Sequence, residues 1–337
     1  MATAVKVDGY GFERPEDFDF ETYEEFMSRY LSVLVRRAKK WEQLFGSSPL
    51  EDHLKRSSKV KRYTRKGIPG DKRALVWMTM SGALARMQAN PGVYQRLLEA
   101  PTHDDPVIDA IRTDIHRTFP ENVFFVDAPE GQRVPLFNVL VAFARRRPDV
   151  GYCQGLNFVA GMLLLVVKDE ERSFWLLDAF VGGVVPTGYY TPAMTGLRTD
   201  TRVLAELVRA RWPDVDATMR REGATFDLVA TKWFVCAYVD VLPVETLLRI
   251  WDSLFYEGAK VVFRVAVTMV ARQRARVAAA RGLADVVSAF RVAIDDPANT
   301  FAHDFMADVF RVPGSFPMAT IDKLREQCER AVLEEDR

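Results

Sequence analysis

Apolar residues recur at steps of three and four through nearly the whole chain. In residues 21–45 the series Tyr23, Phe26, Tyr30, Leu34, Ala38, Trp41 and Phe45 draws one stripe along an amphipathic helix. Glu21, Glu24 and Glu25 stand at its start and Arg36, Arg37, Lys39 and Lys40 near its end, which matches the helix dipole. Gly46-Ser47-Ser48-Pro49 supplies the stop. The same pattern predicts helical segments over 72–87, 93–99, 106–118, 135–146, 153–167, 171–181, 199–211, 215–222, 226–239, 244–256 and 260–280, with shorter helices to the C-terminus and a loop over 129–133. No series of alternating strand positions and no repeat at a fixed period interrupts it. The expected fold is all-α.

Between the first helix and the next lies a basic stretch of Lys55, Arg56, Lys59, Lys61, Arg62, Arg65, Lys66, Lys72 and Arg73, which passes through the turn Gly67-Ile68-Pro69-Gly70. It reads as a solvated linker, since charge runs usually have no partner. A domain boundary is expected near Arg65. The layout is then a helical N-terminal extension with its basic linker over 1–64, a core domain over 65–260, and C-terminal helices packed on that core over 261–337. The Ala- and Arg-rich piece 271–281 ends at Gly282, a natural C-cap, and reads as an exposed helix end.

Composition narrows the classes of function. With 337 residues, 48% of them hydrophobic, the chain can bury a large core. Lys plus Arg and Asp plus Glu each number 46, so there is no overall basic field, and a nucleic-acid partner is not expected. Cys153, Cys236 and Cys328 are odd in number and far apart, and the first residues are polar and acidic, a pattern that fits reduced thiols in the cytoplasm. The most apolar run, 156–167, is about half the ~20 residues of a membrane span and reads as a core helix.

Self-contained chemistry is missing from the sequence. There is no G-x-x-x-x-G-K-[ST] phosphate loop and no strand-G-x-G-x-x-G-helix unit. His53, His103, His116 and His303 do not combine with cysteines or carboxylates at zinc-ligand spacing, so no metal of its own is expected. No G-x-S-x-G elbow occurs either.

Two groups stand out against that background. Ile108, Ile111 and Ile115 form the buried stripe of a helix, and Arg117 lies about 180° from Ile108 at ~100° per residue, so it points away from the core. Asp114, three residues before it, is placed to hold the guanidinium, and Pro120 stops the helix. The same spacing also describes an ordinary surface ion pair. Gln154 is the last polar side chain before a helix that is apolar all round, and its amide is equally suited to satisfying a backbone group at the helix start.

The order of the motifs is informative. Arg65-Lys66-Gly67-Ile68-Pro69 with Arg73 and Trp77, then Ile111-x-x-Asp114-x-x-Arg117-Thr118-Phe119-Pro120, then Gly151-Tyr152-Cys153-Gln154-Gly155-Leu156-Asn157, closely resembles the TBC domain of Rab GTPase-activating proteins. Ser173-Phe174-Trp175, Leu242-Pro243 and Arg249-Ile250-Trp251-Asp252-Ser253-Leu254-Phe255-Tyr256-Glu257-Gly258 extend the likeness, which covers residues 65–260. The opening Tyr10-Gly11-Phe12-Glu13-Arg14-Pro15-Glu16-Asp17-Phe18 is similar to that of one group of proteins within the family.

The resemblance implies a V-shaped, multi-helix domain that receives a Rab-family small GTPase in its GTP form. It assigns Arg117 and Gln154 as an arginine finger and a glutamine finger supplied in trans, with GTP and Mg²⁺ bound by the partner. Asp114 is expected to hold the arginine, Tyr152 and Asn157 to shape the turn around the glutamine, and Arg73, Trp77, Arg249, Trp251 and Asp252 to serve the architecture. A role in vesicle trafficking follows, with the chain cytoplasmic and recruited to endomembranes through its Rab. Two alternatives belong to other classes: a non-catalytic Rab-binding module of TBC shape, and a scaffold whose stretch 55–73 makes weak peripheral contact with anionic membrane.

Overall fold

A computed structural model describes residues 7–46, 54, 56–102, 105–128, 130–186 and 188–336. The expected stop at Ser47, Ser48 and Pro49, and also His53, Lys55, His103 and Pro129, lie outside the described residues. The chain divides into two compact units, Met1–Phe180 and Val181–Arg337. Every residue expected at the site falls in the first.

That unit consists of helices α1 (Phe20–Phe45), α2 (Ser58–Lys66), α3 (Gly70–Met80), α4 (Ala83–Ala89), α5 (Val93–Glu99), α6 (Pro106–Ile115), α7 (Arg133–Arg146), α8 (Leu156–Val167) and α9 (Glu170–Ala179). α8 is its centre. Leu156, Val159, Ala160, Met162, Leu163 and Leu164 are all buried, and α8 packs against α3, α6, α7 and α9. At about 1.5–3 kcal/mol for each large aliphatic side chain, this helix contributes much of the driving force for the unit.

The second unit comprises α10 (Thr195–Arg211), α11 (Pro213–Arg221), α12 (Phe226–Val235), α13 (Val244–Glu257), α14 (Lys260–Ala278), α15 (Leu283–Asp295), α16 (Ala302–Arg311) and α17 (Met318–Glu335). α17 is locked to α10 by Arg325, which donates to both oxygens of buried Asp200 at 2.7 and 2.8 Å. Trp251 is fully buried and donates to the Ala237 carbonyl at 2.9 Å, and Arg249 and Asp252 are buried beside it in sequence.

The all-α expectation holds: the described residues form helices throughout and contribute one isolated bridge, Val7 to Glu13. Several boundaries differ, for local reasons. The helix read over 72–87 is two helices parted at Ser81-Gly82. The one read over 106–118 stops at Ile115, because Pro120 disfavours helical backbone at Phe119, which takes φ +49° instead. That read over 226–239 stops at Val235, where Ala237, Tyr238 and Asp240 turn to positive φ. Residues 58–66 form a helix where the charge run suggested a linker. Ser57 caps it through Val60 N–H at 3.1 Å, and Val60 and Thr64 are buried. Trp41 then donates to the Gly67 carbonyl at 3.0 Å, tying α1 to the turn after α2.

One glycine decides how closely the 118–125 segment approaches α8. A Cβ at Gly161 would lie 2.9 Å from Phe119 Cε2 and 3.3 Å from both Phe125 Cζ and Thr118 Cγ2. Phe119 cannot yield easily, since its ring is wedged edge-on against Phe125 at 5.3 Å and Phe158 at 5.6 Å between centroids. Gly161→Val is expected to cost about 1–3 kcal/mol of overpacking, against the roughly 0.3–0.5 kcal/mol by which valine exceeds glycine in helix propensity. Urea unfolding checks this. The midpoint should fall with an unchanged slope, and a midpoint equal to the wild type would mean that the ring has room to move.

Candidate functional site

The site begins where α6 ends. Arg117 N–H returns to the Asp114 carbonyl at 3.1 Å and Thr118 N–H to that of Ile115 at 3.2 Å, so the helix tightens and stops. Arg117 therefore sits in the turn after the helix and not on it. Its side chain is 61% exposed while that of Asp114 is 7% exposed, and the two form an ion pair. The hydrogen bond from Arg117 to Asp114, reinforced by the opposite charge, raises the guanidinium above its already high ordinary value, so it is permanently charged.

The second segment runs from Gly151 to Asn157. Gly151 (φ +60°) and Gly155 (φ +109°) allow the chain to turn twice before α8 starts at Leu156, three residues later than the pattern suggested. Tyr152 Oη donates to Asp114 Oδ2 at 2.6 Å. Burial, and then the Asp114 hydrogen bond, push this phenol far above its ordinary range, so it stays a donor. Asp114 thus holds Arg117 with one oxygen and Tyr152 with the other.

Asn157 works in both directions. Its Oδ1 accepts from Gly155 N–H at 3.0 Å, and its Nδ2 donates to Thr118 Oγ1 at 2.8 Å. The Thr118 hydroxyl donates in turn to the Asp114 carbonyl at 2.8 Å. Thr118 and Asn157 are 0% and 2% exposed. Gln154, between Tyr152 and Asn157, is exposed, and its carboxamide makes no hydrogen bond within the described residues. Beside it the Cys153 thiol is raised by burial, which disfavours the thiolate.

Asp114, Arg117, Tyr152 and Asn157 therefore meet at one seam, and Gln154 lies on the same turn, between Tyr152 and Asn157. Tyr152 serves the arginine's carboxylate more than the turn at the glutamine, and Asn157 serves both sides. Arg73 and Trp77 are placed differently. Arg73 is buried, donating to Tyr10 Oη at 2.9 Å and to the Ile68 carbonyl at 2.9 Å, and its guanidinium lies 6.0 Å from the centroid of buried Trp77. Sequence reasoning gave no role to Thr118 or Gly161. A small residue in a wholly apolar helix was the available signal for Gly161, whereas nothing local marks the Thr118 hydroxyl as a hub.

Among the described residues no three His, Cys, Asp or Glu side chains cluster as metal ligands, and no helix is long and apolar enough to cross a membrane. The seam presents an exposed guanidinium paired with a buried carboxylate, and an exposed carboxamide on the neighbouring turn.

Comparison with known proteins places this seam in context. The chain is 49% identical over 335 residues to growth hormone-regulated TBC protein 1-A of Danio rerio, covering 99% of this chain and 92% of that one. It is 49% identical over 330 residues to growth hormone-regulated TBC protein 1 of Homo sapiens, covering 97% and 96%. Among solved structures it resembles the Chlamydomonas flagellar RabGAP TBC domain, with a TM-score of 0.76 and 29% identity over 90% of this chain and 99% of that one. The fold also matches the Ypt/Rab-GAP domain of Gyp1p, with a TM-score of 0.66 at 18% identity over 83% of this chain and 98% of that one. Residues 71–277, the seam included, match the Rab-GTPase-TBC domain, and the chain belongs to that family.

Proposed function

We infer that the chain is a GTPase-activating protein for Rab-family small GTPases in their GTP form, and that Arg117 and Gln154 complete the partner's active centre. The observation that carries this reading is the shared carboxylate. Asp114 pairs with an exposed guanidinium through one oxygen and, through Tyr152 on the other, holds the turn that carries an exposed and unengaged carboxamide. GTP and its Mg²⁺ belong to the partner.

The chemistry needs both groups. Hydrolysis builds charge on the γ-phosphate and on the bridging oxygen, and a planar guanidinium can donate to two oxygens at once. The attacking water must be held in line, and a neutral amide can accept one of its hydrogens while donating elsewhere. The presence of both Arg117 and Gln154 favours this reading over a module that only captures a Rab. Recruitment to endomembranes through the Rab, and a part in vesicle trafficking, follow from the same reading. The relatives named for RabGAP domains support it.

Phosphate release from a panel of GTP-loaded Rabs tests the proposal at substoichiometric amounts of the chain. Arg117→Ala is expected to remove most of an acceleration of about 10³ to 10⁵ in kcat. Arg117→Lys should lie within about tenfold of the alanine variant, because an ammonium cannot bridge two oxygens in fixed geometry. A lysine variant as active as the wild type would refute the bridging role. Gln154→Ala should also lose activity, and the double variant should fall short of the product of the two single losses if the pair acts as one unit. Simple multiplication of the losses would separate them. Tyr152→Phe removes one donor from Asp114 and should lower kcat by roughly two- to tenfold, the worth of one hydrogen bond of about 0.5–1.5 kcal/mol, with KM unchanged. A rise in KM alone would place Tyr152 in binding instead.

A further inference from the structure

The N-terminal residues 7–13 lie outside residues 71–277, the part that matches the Rab-GTPase-TBC domain, yet they are fastened to the segment 119–124 that follows Arg117. Asp8 Oδ1 accepts from Tyr10 N–H at 2.7 Å and Phe12 N–H at 3.1 Å, and the Asp8 amide donates to the Phe12 carbonyl at 2.9 Å, closing a small hairpin. The hairpin is fastened to the segment after Arg117 by two hydrogen bonds. Asn122 Nδ2 donates to the Tyr10 carbonyl at 3.0 Å, and Val123 N–H donates to the Gly11 carbonyl at 3.0 Å. The approach is so close that a Cβ on Gly11 (φ +86°) would lie 2.5 Å from Phe124 Cδ2 and 2.7 Å from Asn122 Oδ1. From the hairpin Phe12 places its ring edge-on against Phe119, with 5.1 Å between centroids and planes at 84°.

Phe119 is the residue that needs such help. It is two positions after Arg117, and as a bulky residue at φ +49° it occupies backbone that is costly without surrounding support. Phe125, Phe158 and the space left at Gly161 hold its ring on three sides, and Phe12 completes the enclosure.

The geometry points to residues 7–13 as part of the catalytic apparatus, with Phe12 a positioning residue that fixes the Phe119 turn and, through it, the direction of Arg117. This rests on the Rab-activating role of Arg117 proposed above. The strap acts only through that arginine and touches no substrate.

The test uses the full-length chain and a Rab that the wild type accelerates, with single-turnover hydrolysis measured across concentrations of the chain. Phe12→Ala should lower the rate at saturation by about ten- to a hundredfold, the order expected for a group displaced by an ångström, and leave the half-saturating concentration unchanged. Phe12→Leu, which keeps apolar bulk at the hairpin, should recover much of the loss. In the Arg117→Ala background Phe12→Ala should have no further effect. Hydrogen exchange at the amides of Arg117 and Thr118 should quicken in Phe12→Ala while α8 stays protected. An unchanged saturating rate in a folded Phe12→Ala protein, a change confined to half-saturation, or a full further loss on top of Arg117→Ala would overturn the strap and leave the arginine's role standing. A wild type inert on every Rab would overturn both.

Discussion

The hydroxyl of Thr118 is where two segments 39 residues apart become one site. It is fully buried, so each of its hydrogen-bonding capacities must be met within the protein. It gives its proton to the Asp114 carbonyl and takes one from Asn157 Nδ2. Leaving either buried partner unsatisfied costs about 1–3 kcal/mol, more than the net worth of forming the bond. The seam between the end of α6 and the start of α8 is therefore specified by what it would cost to open. The Tyr152 bond to Asp114 then follows from a backbone position already set.

A gradient of burial makes this seam useful. Asp114 and Thr118 are in the interior, Tyr152 is half-buried, and Arg117 and Gln154 are exposed. Arg117 is held at its guanidinium by Asp114 while most of its side chain stays exposed, so folding has already met part of the cost of ordering it. The carboxylate that holds the guanidinium is itself held by a phenol, so Asp114 has a second partner besides the arginine. Buried helix α8 provides the rigid floor, and short turns provide the reach.

The helical pattern was legible because period and burial coincide: α5, α7 and α13 fall within a few residues of the segments read from apolar spacing. The ends were less so, because a helix end depends on single residues. Pro120 marked a stop, but the stop came at Ile115 once Phe119 adopted positive φ. α2 was hidden by its charge, since only Val60 and Thr64 are fully buried in it and two such positions are too few to give a stripe. At the site, Arg117, Asp114 and Gln154 could be picked out by residue type and order. Thr118 and Tyr10 could not, because their roles depend on partners far along the chain, as with Tyr10 and Asn122, which are 112 positions apart.

Those distant partners explain why the motif order is more informative than any single motif. Arg73 reads locally as one more base in a charged run, yet it is buried between the Tyr10 hydroxyl and the Ile68 carbonyl. Its burial requires Tyr10 to be in place, Tyr10 requires the Asn122 amide, and Asn122 follows the Phe119 turn. A substitution at any link removes a contact that the next one uses, so the early residues, the basic stretch and the arginine turn are coupled although no spacing rule connects them. The site's precision is thus a property of this whole chain of contacts, and the two exposed side chains are its outermost members.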